Sequence, residues 1–259
     1  MNKLPRWLVG YVTLIYVFLH APLLVLVVFS FNESKFSSEW TGFTLHWYER
    51  LLERTDIIDG LMSSLVVGGL STLISTFFGT LMALALARHR FRGRQLVEAA
   101  LYVPIVTPEI VCGISLLILF VATGVQLGTA TIVVAHVAFN ISFVTVVVHS
   151  RLQGMDSNLE EAAMILGADE ITAFFRVTVP QLWPGIVSGA MLAFTMSFDD
   201  YVITSFVSGT GAQTLPIVVY TMVRKNIEPS INAISTLILV VTTVLVVIAD
   251  RVGREKPLT

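Results

Sequence analysis

Six stretches of this chain are apolar for about 20 residues or more, and that pattern constrains the fold more tightly than any other feature. They run at roughly 7–31, 61–87, 96–122, 127–149, 183–207 and 231–249. A helix needs about 20 apolar residues to cross the hydrocarbon core of a bilayer, so each stretch reads as one spanning helix. Composition agrees, with 55% hydrophobic and 13% charged residues. The expectation is an all-α integral membrane protein, with residues 1–259 forming a single transmembrane domain. The first stretch is longer than the apolar region of about 7–15 residues in a secretory signal, and no A-x-A-like site follows, so it reads as a retained span.

Lys and Arg accumulate in cytoplasmic loops, and their placement sets an orientation. Lys3, Arg6, Arg88, Arg90, Arg92, Arg94, Arg151, Arg176, Arg251, Arg254 and Lys256 fall on one side of the six-span pattern; Lys35, Arg50, Arg54, Arg224 and Lys225 fall on the other. The bias predicts both termini in the cytoplasm. A net charge of −2 gives no basic surplus, so the bilayer and not nucleic acid is the expected surrounding partner. The lone Cys112 lies in an apolar run and cannot form an intramolecular disulfide. The outer loop 32–60 is acid-rich, and LHWYERLLER within it predicts a short surface helix. Its aromatics Trp40, Trp47 and Tyr48 read as interface anchors or as contacts for a substrate or delivering protein. Loop 123–126 is so short that spans three and four form a tight hairpin.

The other large loop, 150–182, is cytoplasmic in this orientation and is patterned. Ser157 followed by Glu160 fits a capping box for a helix over 158–166, with Gly167 placed to end it. A second short helix is predicted from near Asp169 through Phe175, before Pro180 and Pro184 redirect the chain into the fifth span. Small Ala162 and Ala163 allow close approach of a partner, Phe174 and Phe175 offer apolar anchors, and Glu160 and Glu161 offer charge. The alternative is an ordinary amphipathic loop helix.

Glu161, Ala162, Ala163, Gly167, Val177, Val179 and Pro180 stand at the spacing of the EAA loop. The chain therefore resembles the membrane permease subunits of binding-protein-dependent ABC importers. Val177 and Val179 depart mildly from the usual Ile and Leu. The resemblance runs through nearly the whole chain and narrows to the polyamine (spermidine and putrescine) permeases, in VFSFNESKF at 28–36, RHRFRGRQ at 88–95, PEIVCGISLLILF at 108–120, SFDDYVITSFVSG at 197–209 and EPSINAISTLIL at 228–239. It implies an ABC importer permease fold with cytoplasmic coupling helices in a bacterial inner membrane. The implied partners are a homologous second permease, two ATPase subunits and an extracytoplasmic polyamine-binding protein. ATP and Mg would be bound by the ATPase. The chain itself has no G-x-x-x-x-G-K-[ST] phosphate cradle, no metal-spaced histidines and no triad signal, so no cofactor and no catalysis are expected in it. Other readings are an ABC permease for a metal ion or another small solute, and an ion-gradient-driven cation transporter.

Three acids lie away from the ends of predicted spans: Glu109 in span three, and Asp199 and Asp200 in span five. An ionised carboxylate at mid-membrane costs about 2.5–3.5 kcal/mol even on a lenient scale, so such residues face a bundle interior or water. Counted along unbroken helices, all three fall at a similar depth, with Glu109 roughly 21 Å along from Gln95 at 1.5 Å per residue. Ser197, Asp200, Thr204 and Ser208 form a polar stripe on such a helix, with Asp199 about 100° away. Either these acids line a path for a cation, or they satisfy backbone freed beside Pro104 and Pro108 or pair with a neighbouring subunit's cation. Which aspartate faces the path stays open at this point. Glu170 reads as a cap or an ATPase contact.

Overall fold

The computed structural model describes residues 5–34, 39–156, 158–225 and 229–253. Within them the chain is helical, with one isolated bridge between Asn32 and Phe43 and no strand. The helices are α1 (Arg6–Phe29), α2 (His46–Glu53), α3 (Thr55–Arg88), α4 (Arg94–Val106), α5 (Glu109–Ala122), α6 (Thr129–Gln153), α7 (Asn158–Ile165), α8 (Glu170–Ala173), α9 (Val179–Asp199), α10 (Val202–Val207), α11 (Leu215–Lys225) and α12 (Pro229–Gly253). Lys3, Lys35, Ser157, Arg254 and Lys256, on which parts of the orientation and capping expectations rest, lie outside the described residues.

Among the described residues four helices are long and apolar enough to cross a membrane: Trp7–Phe29, Thr55–Arg88, Thr129–Gln153 and Glu170–Asp199. The expected third span is not one straight helix. It is α4 and α5, meeting at 111°. Pro108 has no amide hydrogen to continue the ladder, and it forces Thr107 into extended backbone (φ −73°, ψ 133°). The expected fifth span is also broken, because α9 ends at Asp199 and α10 starts at Val202. The sixth, 231–249, falls within α12, whose stretch Pro229–Val244 is apolar.

Pro180 and Pro184 do not redirect the chain, as the sequence had led us to expect. A π-helical turn, Phe174–Thr178, joins α8 to α9, so helix runs without interruption for 30 residues from Glu170 to Asp199. The turn closes with the Val179 amide on the Phe174 carbonyl. Pro180 follows that turn at the start of α9 without ending the helix.

The chain groups into two compact units. The first comprises Met1–Ile58 and Val218–Val244. Its α1 has none of its apolar window buried, as a lipid-facing helix would. After α1 the chain is knotted by Asn32, which is fully buried: its Nδ2 donates to the Glu39 carbonyl (2.7 Å) and its Oδ1 accepts from the Thr41 amide (3.0 Å). The second unit, Asp59–Ile217 and Leu245–Thr259, is organised around α6, half of whose apolar window is buried. Glycines let its helices approach closely. A Cβ on Gly79 of α3 would lie 2.8 Å from Val144 of α6, and one on Gly185 of α9 would lie 2.8 Å from Arg151. Val144, Val148, Ala83, Leu182 and Ala193 fill that contact. A second cluster, including Ile132, Val133, Phe120, Ile203 and Val207, seats α10 against α5 and α6.

Candidate functional site

The break between α9 and α10 opens onto a cavity of about 340 Å³. Glu109 reaches its wall because the bend at Pro108 puts it in the first turn of α5. The depth counted along an unbroken third helix therefore does not hold, yet Glu109, Ser197, Asp199 and Asp200 share this one cavity. His136 and Asn140, one turn apart on α6, complete the polar wall. Among the described residues no Lys or Arg lines it.

The two aspartates differ sharply. Asp200 Oδ1 accepts from the Ile203 amide (3.2 Å), and Oδ2 accepts from the Thr204 amide (2.7 Å) and the Thr204 hydroxyl (2.7 Å). It thus caps α10, whose first amides have no carbonyl partners of their own. His136 Nε2 stands 3.2 Å from the same Oδ2 and 3.0 Å from Thr204 Oγ1. On its other edge His136 Nδ1 lies 2.6 Å from Ser197 Oγ, and Ser71 Oγ of α3 is 2.8 Å from that hydroxyl. Ser197, Asp200 and Thr204 therefore converge as a stripe despite the broken helix, while Ser208 instead bonds through its amide to the Thr204 carbonyl. Asp199 and Glu109 are exposed to the cavity and have no hydrogen bond or ion pair among the described residues. Asn140 is 1% exposed; its Nδ2 donates to the Ala193 carbonyl (3.2 Å) and its Oδ1 has no partner among the described residues.

Sequence reading passed over His136 and Asn140. His136 carried a usable signal, since an ionisable side chain inside an apolar span is functional by default. Asn140 carried none beyond its polarity. Trp47 lies elsewhere in the chain's first unit, 5% exposed, with its indole N–H donating to the Asn32 carbonyl (2.7 Å), where it braces the segment after α1. Among the described residues no three His, Cys, Asp or Glu side chains are grouped to hold a metal ion.

The loop 150–182 forms a second constellation. Asp156 Oδ1 accepts from the Asn158 amide (3.0 Å) at the start of α7. Gly167, at φ +96°, ends that segment: its amide bonds to Met164 and the Ala168 amide to Ala163, which a left-handed glycine permits. Asp169 caps α8 by accepting from the Thr172 amide (3.1 Å), and Glu170 is exposed in its first turn. Glu160 is not free for a partner as the sequence had implied. It accepts from Arg88 at the end of α3 (2.5 Å) and from Thr178 Oγ1 (2.7 Å), and the Arg88 guanidinium lies 5.2 Å from the Phe174 ring centre. Glu161, Ala162 and Pro180 are exposed, and with them an apolar surface of Ile165 (85%), Leu166 (89%), Ile171 and Phe175.

Long apolar helices, with a polar cavity at the break in one of them, are the build of a membrane permease. The chain belongs to the binding-protein-dependent transport system inner membrane component family, whose profile matches residues 75–254. It is 40% identical over 247 residues to the spermidine/putrescine transport system permease protein PotC of Escherichia coli (strain K12), covering 95% of this chain and 94% of that one. It is 42% identical over 250 residues to the putrescine transport system permease protein PotI of the same strain, covering 92% and 89%. Among solved structures it resembles a bacterial ABC transporter involved in the import of the acidic polysaccharide alginate, at TM-score 0.75 and 16% identity over 96% of this chain and 95% of that chain. It also resembles the MetNI methionine ABC transporter, at TM-score 0.62 and 19% identity over 80% and 96%. At these identities the structural likeness speaks for the fold alone.

Proposed function

We propose that this chain forms half of the translocation path of an ATP-driven importer of polyamines, paired with a homologous permease. The observation that carries the reading is a cavity at the break between α9 and α10 that holds two carboxylates without an ion pair, Glu109 and Asp199, and no Lys or Arg on its wall among the described residues. Uncompensated acids at that depth favour a cationic cargo, because its ammonium groups supply the missing charge through charge-assisted hydrogen bonds. The names of the two Escherichia coli relatives support the same cargo. Release requires that such contacts stay few, and two free acids at one break meet that condition better than an enclosing cage.

In this reading the loop 150–182 lies in the cytoplasm with both termini, and two ATPase subunits dock on it and on its counterpart. Glu161, Ala162, Ala163, Gly167, Glu170, Phe174, Phe175 and Pro180 form the contact, while Glu160 stiffens it from within through Arg88 and Thr178. An extracytoplasmic binding protein delivers cargo to the opposite face, and Trp47 braces that side. ATP and Mg belong to the ATPase.

The test is reconstitution in proteoliposomes with the co-encoded permease, ATPase and binding protein. Uptake of radiolabelled putrescine or spermidine should require ATP and the loaded binding protein. Uptake that persists without the ATPase would favour a gradient-driven carrier. A binding protein that holds ferric ion or an anion and no polyamine would remove the cargo assignment.

A further inference from the structure

Asp199 and Asp200 are neighbours in sequence, but hydrogen-bond arithmetic separates them. An ionised carboxylate offers about four acceptor positions. Asp200 meets four donors: the Ile203 amide, the Thr204 amide, the Thr204 hydroxyl and His136 Nε2. Its side chain is 9% exposed. Three of these converge on Oδ2 and one on Oδ1, so the side chain holds the start of α10 and offers a cation little beyond one position on a mostly covered oxygen. Asp199, the last residue of α9, is exposed and has all its acceptor positions open among the described residues.

One side chain enforces this division. His136, 2% exposed on α6, holds the last turn of α9 through Ser197 with one ring nitrogen and the first turn of α10 through Thr204 and Asp200 with the other. The imidazole spans the break and fixes both half-helices to the same point on α6. Ser71 of α3 secures Ser197 from behind. We propose that His136 is a positioning residue for cation transfer: it clasps the broken helix, commits Asp200 to the α10 backbone, and leaves Asp199 as the carboxylate that meets the substrate's ammonium group. This rests on the cation-import reading above.

The experiment is a pair of mutant cycles in the complete reconstituted importer, read as initial spermidine uptake against the concentration of loaded binding protein. The parental complex is measured first. If it imports no polyamine, the cargo reading falls and this assignment falls with it. If it does, Asp199→Asn should lower uptake about 10- to 100-fold, the range expected for losing a hydrogen bond to a charged group. His136→Gln and Asp200→Asn should each lower uptake, and the double variant should be no worse than the poorer single one, because both sever one clasp. His136→Gln with Asp199→Asn should likewise be less than multiplicative, because the clasp acts by aiming Asp199. General destabilisation by His136→Gln would multiply with both aspartates and would overturn the proposal, as would parental uptake by Asp199→Asn with the polyamine reading left intact. Should His136→Gln fail to co-purify with its partners, His136→Asn, which keeps a hydrogen-bonding atom near the Ser197 side of the ring, replaces it in the same cycles, and partial uptake is expected. His136→Leu, which keeps neither contact, should give none.

Discussion

Asn140 shows how a polar residue can stand against stability. Its Oδ1 is buried beside the cavity without a partner among the described residues, and an orphaned acceptor of this kind costs about 1–3 kcal/mol. Replacing it by the similarly sized Asn140→Leu should leave the thermal stability of the purified complex unchanged or raise it by a few degrees. The same variant should slow polyamine uptake if the amide oxygen serves a passing ammonium group. A differential-scanning measurement beside an uptake assay separates the two effects. A drop in both would make Asn140 a packing residue. The sequence displayed the acids plainly, because charge inside an apolar run stands out. It did not display their inequality, because the donors that hold Asp200 come partly from α6, and the pairing of His136 with Asp200 spans 64 positions.

Four long apolar helices were legible from apolar length, and the short helices of the loop from Gly167 and Asp169. The breaks were less so. Pro108 was visible, but whether a proline kinks, ends or merely decorates a helix depends on what takes over the lost hydrogen bond. At Pro180 a π turn leads into α9 and the helix goes on, whereas at Pro108 α4 has ended and the next helix sets off at 111°. The clasp of Arg88, Glu160 and Thr178 ties the end of α3 to α7 and to the base of α9. Arg88→Ala should leave Glu160 with only its Thr178 bond and loosen the loop, so that ATP hydrolysis continues while uptake per ATP falls severalfold. A ratio of uptake to hydrolysis equal to the parental one would dismiss the clasp. Gly79→Val should be harsher, because its side chain meets Val144 where 2.8 Å is available to the first carbon; about 1–3 kcal/mol of stability should be lost, read as reduced yield of assembled complex.

The cap of α8 also fixes a pH response. Hydrogen bonds from Thr172, side chain first and amide second, hold the Asp169 carboxyl below its usual range. A lowered folded-state value means that this contribution is fully present above the ordinary carboxylate pKa of about 3.9 and is lost as pH falls through the lower folded value. Coupling should therefore be insensitive to this group between about pH 5 and 8. A titration of uptake per ATP that shifts in that window through Asp169→Asn would contradict the assignment.

At the scale of the whole molecule, orientation is the expectation most open to direct test. In a background carrying Cys112→Ala, single cysteines at Trp40 and at Leu166 should react with an impermeant thiol reagent from opposite faces of right-side-out membranes, the first without and the second only after permeabilisation. Labelling of both from one side would undo the positive-inside reading.

The uninterrupted helix Glu170–Asp199 has a mechanical consequence. Thirty residues at 1.5 Å each make a rod of about 45 Å, and its far tip is pinned to α6 by the contact between Ser197 and His136. With the tip as fulcrum, a tilt of about 10° would carry the loop end through roughly 8 Å while Asp199 turned almost in place. A large stroke at the docking surface would thus arrive at the cavity as a change of aim.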